Sequence, residues 1–317
     1  MALRGGIDLG GTKIEALVVD DANAVLGTAR RATPTDGGPA GVVGELAAAL
    51  QEAASAAGVE SSALVGVGVG SPGQVDREQG TVANAGNLPD WTDPFPLAAV
   101  LGKRLGTRVV LGNDVRVAVE AERVLGAGVH HPSFLGVWWG TGIGGAVVLD
   151  GKLWLGRGSA GELGHVVVKL GGARCQCGRR GCLEAYAGRG AMERRARRAE
   201  NDGDKTKLFE IMKKHGRTRL TSGVWATALV RGDKLAQSLI DEAVAALGAA
   251  IGSVVNILDV GAVVIGGGLG TRFGQPYVER IAEAAAPHLF VADRPPAFVP
   301  AELGDPGGAI GAALLVA

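Results

Sequence analysis

Residues 8–13 read DLGGTK and residues 140–145 read GTGIGG, each between two apolar, strand-like runs. A strand, a glycine turn and a second strand therefore recur, once from residue 8 and again from residue 140. Backbone N–H groups in a glycine turn can point at an anion, and no Cβ blocks its approach. Two such turns facing each other grip a polyphosphate between two lobes, so the pairing predicts a phosphotransferase built around a cleft. In the first turn Asp8 can hold Mg²⁺ through water, because that ion seeks oxygen and keeps its own waters. Gly10, Gly11, Thr12 and Lys13 can meet phosphate oxygens, as can Gly140, Thr141 and Gly142 in the second turn. The plainer reading is two ordinary hairpin turns; the duplication, together with Asp8, Thr12 and Lys13, favours phosphate. A third run, Gly266, Gly267 and Gly268, follows a buried strand and either lies against a nucleoside or is simply a turn.

Two familiar motifs fail on context. Gly140, Gly142 and Gly145 match GxGxxG, but that fingerprint must open a helix, and residues 146–149 (AVVL) continue as a strand. DLGGTK lacks the spacing of a Walker A loop.

His165, Cys175, Cys177 and Cys182 follow the pattern H-x9-C-x-C-x4-C. One imidazole and three thiolates make a closed tetrahedral Zn²⁺ set with no open position, hence a structural metal. Arg174, Arg179 and Arg180 favour ionised thiolates, and Gly178 and Gly181 let the chain fold tightly around an ion. The alternative is three small buried residues and a core histidine. A redox pair is disfavoured because no CxxC occurs. A zinc-ribbon nucleic-acid module is disfavoured because the cluster is one short loop inside a larger domain.

Asp114 opens a helix, where a carboxylate is favoured by the helix dipole; beside Asn113 it is a candidate general base for a hydroxyl, and taken alone it is an N-cap. Glu162 and Glu184 flank the cysteines and, held by a zinc loop, can accept hydrogen bonds from sugar hydroxyls; otherwise each is a solvated charge. Asn87 in NLPDW is a further candidate, or an Asx-turn. Arg194, Arg195, Arg197 and Arg198 read as a solvated helix face, with a polyphosphate or nucleic-acid contact as the sharper alternative.

These groups need elements to position them. Strands are expected at 5–9, 13–20, 25–32, 63–69, 109–111, 134–139, 146–149, 152–154 and 262–265. Helices are expected at 40–57, 97–105, 114–125, 183–200, 233–257, 276–289 and 308–316. Residues 81–93 read as a functional loop and 201–223 as a charged surface insertion. Strands alternating with helices imply an α/β fold with mixed sheets. The repeated hairpin divides the chain into a smaller lobe, 1–115 with 305–317, and a larger one, 116–304, that carries the zinc loop. The hinge is expected near 113–118.

The chain has 317 residues, 47% of them hydrophobic but only 4% aromatic, so the core is expected to pack Ala, Val, Leu and Ile. Lys plus Arg equals Asp plus Glu, 32 each, which argues against a nucleic-acid partner or an anionic membrane surface. The most lipid-like stretch, 247–269, contains Asn256, Asp259 and many glycines and reads as a buried helix and strand. With no signal-peptide pattern at the N-terminus, a cytoplasmic location is expected.

The order DLGGTK (8–13), SPG (71–73), NLPDW (87–91), ND (113–114), GTGIGG (140–145), GELGH (161–165) and CQCGRRGCLEAYAG (175–188) resembles the ROK family of sugar kinases and repressors, especially its bacterial ATP-dependent glucokinases. The match spans nearly the whole chain. The resemblance implies a two-lobed actin/hexokinase-type ATPase fold with its active site in the cleft between lobes. It implies Asp114 as the base for the 6-hydroxyl of a hexose, most simply glucose. It implies Asn87, Asn113, Glu162, His165 and Glu184 as sugar contacts, His165 also binding zinc. It implies Mg-ATP on the glycine turns and a homodimer or larger assembly. N-acetylglucosamine, N-acetylmannosamine and fructose stay open as substrates, polyphosphate as donor, and non-catalytic sugar sensing as a different role. The repressors' N-terminal helix-turn-helix is not expected, since DLGG begins at residue 8. The chain departs from the usual pattern at Val115 and Arg116, at Trp138 and Trp139, and at Gly188 and Arg189.

Overall fold

The structure, a computed structural model, describes residues 2–86 and 88–316. The chain forms two compact units, one running to Gly126 and resuming at Asp305, the other Ala127–Gly304. The division falls after residue 126 rather than at 115/116, because the helix that opens at Asp114 packs with the first unit's C-terminal helix.

The first unit is built on β1 (Arg4–Leu9), β2 (Lys13–Val19), β3 (Val25–Ala32), β4 (Gly66–Ser71) and β7 (Val109–Asn113), in the order β3-β2-β1-β4-β7. Strands β1 to β3 are antiparallel; β4 and β7 continue parallel to β1. A two-stranded ribbon, β5 (Gln74–Asp76) and β6 (Thr81–Ala83), stands apart. Helices α1 (Gly38–Ala56), α2 (Leu97–Leu105) and α3 (Asp114–Leu125) complete the unit with a C-terminal helix, Gly307–Ala313.

Strand β4 reads GVGVGS and shows how this sheet is covered. Side chains alternate between faces. Val67 and Val69 join Val42, Leu46 and Leu50 of α1 in one core. The glycines turn to the other face, where a Cβ on Gly68 would overlap the Ala312 carbonyl of the C-terminal helix. That helix is Gly and Ala apart from Ile310, and every residue in it is buried. Absent side chains let helix backbone lie directly on the sheet, at the strand ends that carry the site.

The second unit repeats the plan. Its strands are β8 (Phe134–Trp139), β9 (Ile143–Leu149), β10 (Lys152–Trp154), β11 (Ala262–Gly266) and β12 (Ala297–Pro300), in the order β10-β9-β8-β11-β12. Again three strands are antiparallel, with two more parallel to the first of them. Its helices are α4 (Glu184–Ala187), α5 (Arg189–Asn201), α6 (Leu208–Lys214), α7 (Ser222–Val230), α8 (Lys234–Leu258), α9 (Gly267–Phe273) and α10 (Gln275–Ala285). Two five-stranded mixed sheets of one order define the duplicated core expected of an actin/hexokinase-type ATPase.

Several local expectations need correction. The helix expected over 183–200 breaks at Gly188 into α4 and α5. Residues 201–223 are not a surface insertion: α6 buries Leu208, Phe209, Ile211 and Met212, and Leu220 is also buried in this core. The 81–93 loop begins as β6 and is anchored by buried Trp91, whose indole N–H donates to the Val82 carbonyl at 2.9 Å. The run GGGLG opens a helix, α9, rather than a plain turn. Helix α8 is long and apolar enough to cross a membrane, but Leu239, Ile240, Ala243, Leu247 and Ile251 on it are buried in the second unit's core.

Candidate active site

In the first unit the site lies where parallel strands end. Asp8 on β1 is opposite Gly70 on β4, and Ser71 is opposite Asn113 on β7. Carboxyl ends of parallel strands are where open α/β sheets bind ligands. Asn113, not Asp114, is the N-cap of α3: its side-chain oxygen accepts the Arg116 N–H at 3.2 Å. Asp114 is the first helical residue. The Asn113 amide and the Val115 N–H each donate to Asp114 Oδ1 at 2.9 Å. The carboxylate is thus oriented by two donors and favoured by the helix dipole.

Burial pushes the Asp8 carboxyl up to about 7; the Asp114 carboxylate adds to the shift and Lys13 opposes it. The C-terminal helix comes close enough that a Cβ on Gly308 would stand 2.7 Å from Asp8 Oδ2. The turn after Asp8 closes with Gly10 N–H donating to the Lys13 carbonyl at 3.0 Å, and Thr12 is exposed on it. Lys13 Nζ meets Glu15 at 2.9 Å and Asp305 at 3.0 Å, and Arg30 bridges the same two acids at 3.0 and 2.8 Å. The hydrogen bond from Lys13 holds the Asp305 carboxyl below its usual range.

In the second unit two of the glycine runs meet. The turn at 140–142 closes with Gly140 N–H donating to the Gly142 carbonyl at 3.0 Å. A Cβ on Gly140 would stand 3.8 Å from Gly268 N, and Gly267, at φ +81°, lies so close to Trp139 that a Cβ would fall 2.8 Å from its backbone. Glu184 braces this turn from α4: Ile143 N–H donates to Glu184 Oε2 at 2.9 Å, and a Cβ on Gly142 would overlap that carboxylate. Helix α5 begins on the same turn, with Arg189 and Gly190 N–H donating to the carbonyls of Gly140 and Thr141 at 3.1 and 2.9 Å. Buried Trp139 donates its indole N–H to the Ala187 carbonyl at 2.8 Å. The loop with Glu162 and His165 lies on β9, where close glycine contacts join Gly161 to Gly145 and Gly164 to Ile143. Glu162 itself is exposed.

The predicted metal set is assembled. The ligand atoms of His165, Cys175, Cys177 and Cys182 all lie within 4.8 Å of one another. Cys177 and Cys182 sulfurs are 3.8 Å apart, and Cys175 Sγ is 3.9 Å from His165 Nδ1. A tetrahedral ion with Zn–S bonds of about 2.3 Å sets its sulfurs about 3.8 Å apart, so the donor set fits zinc. Gly178 and Gly181 have φ +88° and +82°. The Arg179 backbone and then its side chain pull the Cys177 thiol down to about 6, while burial pushes Cys175 up to about 12. Of the three neighbouring arginines, Arg179 acts on the thiolates; Arg180 instead donates to the Gly172 carbonyl.

The structure therefore brings Asp8, Asn113 and Asp114 to one edge of the first sheet, and the Gly140 and Gly266 runs with Glu184 to one edge of the second. Asn87 lies outside the described residues. Residues not anticipated are Glu15, Asp305 and Gly308 around Asp8 and Lys13, and Arg189 on the second turn. A helix of Gly and Ala apart from Ile310 is the available sign of close packing at Gly308; nothing in the sequence marks the others.

Paired sheets of this order, each with a glycine turn between its first two strands, define the class of sugar-kinase-like ATPases. Residues 4–317 match the ROK family, and the chain belongs to it. It is 35% identical over 287 residues to a glucokinase of Thermotoga maritima, covering 89% of this chain and 88% of that one. It is 33% identical to an N-acetylgalactosamine kinase of a Shewanella species, over 98% and 95% of the two chains. A ROK family glucokinase of Streptomyces griseus, solved with glucose and AMPPNP, superposes with a TM-score of 0.84 at 33% identity, over 99% of each chain.

Proposed function

We propose that this chain is an ATP-dependent hexose kinase that phosphorylates the 6-hydroxyl, with glucose as the preferred substrate. The observation that carries the reading is Asp114, a carboxylate fixed by Asn113 and Val115 at the carboxyl edge of the first sheet. The Asp114 carboxylate takes the proton from O6 as O6 bonds to the γ-phosphorus. The bond from the γ-phosphorus to its bridging oxygen breaks, and ADP leaves with that electron pair. Positioning and charge neutralisation supply most of the rate in such transfers, and a base of this kind contributes about 10²–10⁴-fold.

Gly10, Gly11, Thr12 and Lys13 are assigned to donor phosphates, as are Gly140, Thr141 and Gly142; Gly266, Gly267 and Gly268 are assigned to the nucleoside. Asp8 is assigned to Mg²⁺ through water, and that ion supplies charge neutralisation on the phosphates. The Asp8 carboxyl, crowded by Asp114, suits a cation. Asn87, Asn113, Glu162, His165 and Glu184 are assigned to the remaining sugar hydroxyls. His165 Nδ1 faces the cysteines, so Nε2 is the nitrogen assigned to sugar, and the zinc set is assigned a structural role. A homodimer acting in the cytoplasm completes the reading.

The Streptomyces griseus glucokinase with its glucose and AMPPNP supports a hexose and a nucleoside triphosphate as ligands. The Shewanella N-acetylgalactosamine kinase favours one second reading, an N-acetylhexosamine kinase. Asp8 and Asp114 argue against a non-catalytic sensor. The test is sugar-dependent ADP release over a panel of hexoses and N-acetylhexosamines. Glucose should give the highest kcat/KM. A preference for an N-acetylhexosamine establishes the second reading, and no ADP release with any sugar ends the kinase reading.

A further inference from the structure

Of the four arginines of α5, Arg194, Arg197 and Arg198 are exposed, as expected of a solvated face, while Arg195 and Arg197 are also paired. Arg195 pairs with Glu242. Arg197 pairs with Glu193 at 2.7 Å and lies 4.9 Å over the Phe209 ring. Arg194 has no carboxylate partner among the described residues, and its Nη1 is 3.7 Å from where a Cβ on Gly190 would stand. Arg219 Nη2 is 3.9 Å from that same point, and the Thr141 carbonyl is 3.5 Å from it. Arg189 completes the group, donating to Thr141 Oγ1 at 2.6 Å and to the Leu220 carbonyl at 2.9 Å.

Two guanidinium groups thus approach Gly190, and a third lies on Thr141 of the adjoining glycine turn. The acid facing them is Glu193, which already serves Arg197, accepts the Leu220 N–H at 3.1 Å, and meets Arg219 at 3.8 Å. Arg197, Arg219 and, at longer range, Arg189 share this one carboxylate. Burial, then the charge of Arg219, hold Arg189 below the usual arginine range. Such crowding is relieved by an anion, and the planar arginine fork matches phosphate oxygens two at a time.

We propose that Arg189, Arg194 and Arg219 form an anion site, continuous with the Thr141 turn, that takes part of a condensed phosphate chain. The proposal rests on the assignment of that turn to donor phosphate. The chemistry is common to the triphosphate of ATP and to inorganic polyphosphate, and the two sources separate in the test.

The probe is inorganic tripolyphosphate, titrated calorimetrically into the full chain without sugar. Arg194 and Arg219 are exposed, so Arg194→Ser with Arg219→Ser should fold, with an unchanged thermal melt. That variant should bind tripolyphosphate at least tenfold more weakly, since charge-assisted contacts are lost. The matching double lysine variant should recover part of the affinity. Affinities within twofold between wild type and the serine variant overturn the site, as does a wild type that does not bind the probe. Turnover assays then assign the source. A rise in KM for ATP alone points to the nucleotide; loss of glucose phosphorylation driven by long-chain polyphosphate points to the inorganic chain. A wild type inactive on every sugar would end the kinase reading, while the calorimetry would still decide the anion site.

Discussion

The two glycine turns sit on sheets of identical strand order, yet their surroundings carry opposite charge. Around the first turn are Asp8, Asp114, Glu15 and Asp305, with Lys13 and Arg30 shared between the last two. Around the second, the Glu184 carboxylate is occupied with the turn's own backbone, and the arginines beyond it outnumber their one acid, Glu193. The first is crowded by helix backbone at Gly308, the second by a side chain at Gly142. One scaffold thus suits the two proposed tasks: carboxylates to hold a cation and accept a proton, and a braced cradle to hold an anion. A duplicated strand pattern predicts geometry, and the surroundings of each copy decide its chemistry.

The largest expected effect lies in the bracing of the second turn. Cys182→Ser removes one of the four proposed zinc ligands, and structural zinc sites are worth about 10 kcal/mol or more in binding free energy. Metal analysis should show loss of the single ion per chain. Hydrogen exchange should show residues 165–184 unprotected, with turnover abolished. Full turnover in a metal-free variant would separate the cysteine loop from the turn.

Gly142→Ala is the next. The new Cβ must push the Glu184 carboxylate off the Ile143 N–H. Losing a buried charge-assisted bond costs about 1.5–3 kcal/mol. We expect KM for ATP to rise about tenfold or more, with the KM for glucose changing less. An unaltered KM for ATP would remove the second turn from donor binding.

The smallest effect concerns stability around the first turn. The folded Asp8 carboxyl titrates at about 7, against an ordinary 3.8. Between those values the folded state holds a proton that the unfolded state has lost, so this group makes stability fall as pH rises from about 4 to about 7. Without Mg²⁺, Asp8→Asn should stabilise the fold at pH 7.5 by on the order of 1–3 kcal/mol, read as a higher melting temperature, and change it little at pH 4. An equal change at both pH values would show that burial and the neighbouring Asp114 do not raise the Asp8 carboxyl.

Legibility followed distance along the chain. The turn at DLGGTK, the helix start at Asn113-Asp114 and the cysteine cluster are legible because each is formed by residues close in sequence. The bracing was not: Glu184 reaches Ile143 across 41 positions and Arg189 reaches Thr141 across 48. Short helix α6 was missed because Lys205, Lys207, Lys213 and Lys214 made its surroundings look solvated, while Leu208, Phe209, Ile211 and Met212 point into the core. Glycine-rich α9 was missed because tertiary packing against Trp139 overrides poor helix propensity. The GVGVG alternation of β4 was read as a buried strand, but what covers each face depends on α1 and on a helix that begins at Gly307.

Asp114 as the base is tested by ADP release from Asp114→Asn with ATP and glucose. The amide keeps the shape of the side chain but cannot take the O6 proton. Turnover should fall by about 10²–10⁴-fold, with glucose binding still measurable by calorimetry. A variant that binds glucose and turns over within a few-fold of wild type would contradict the account.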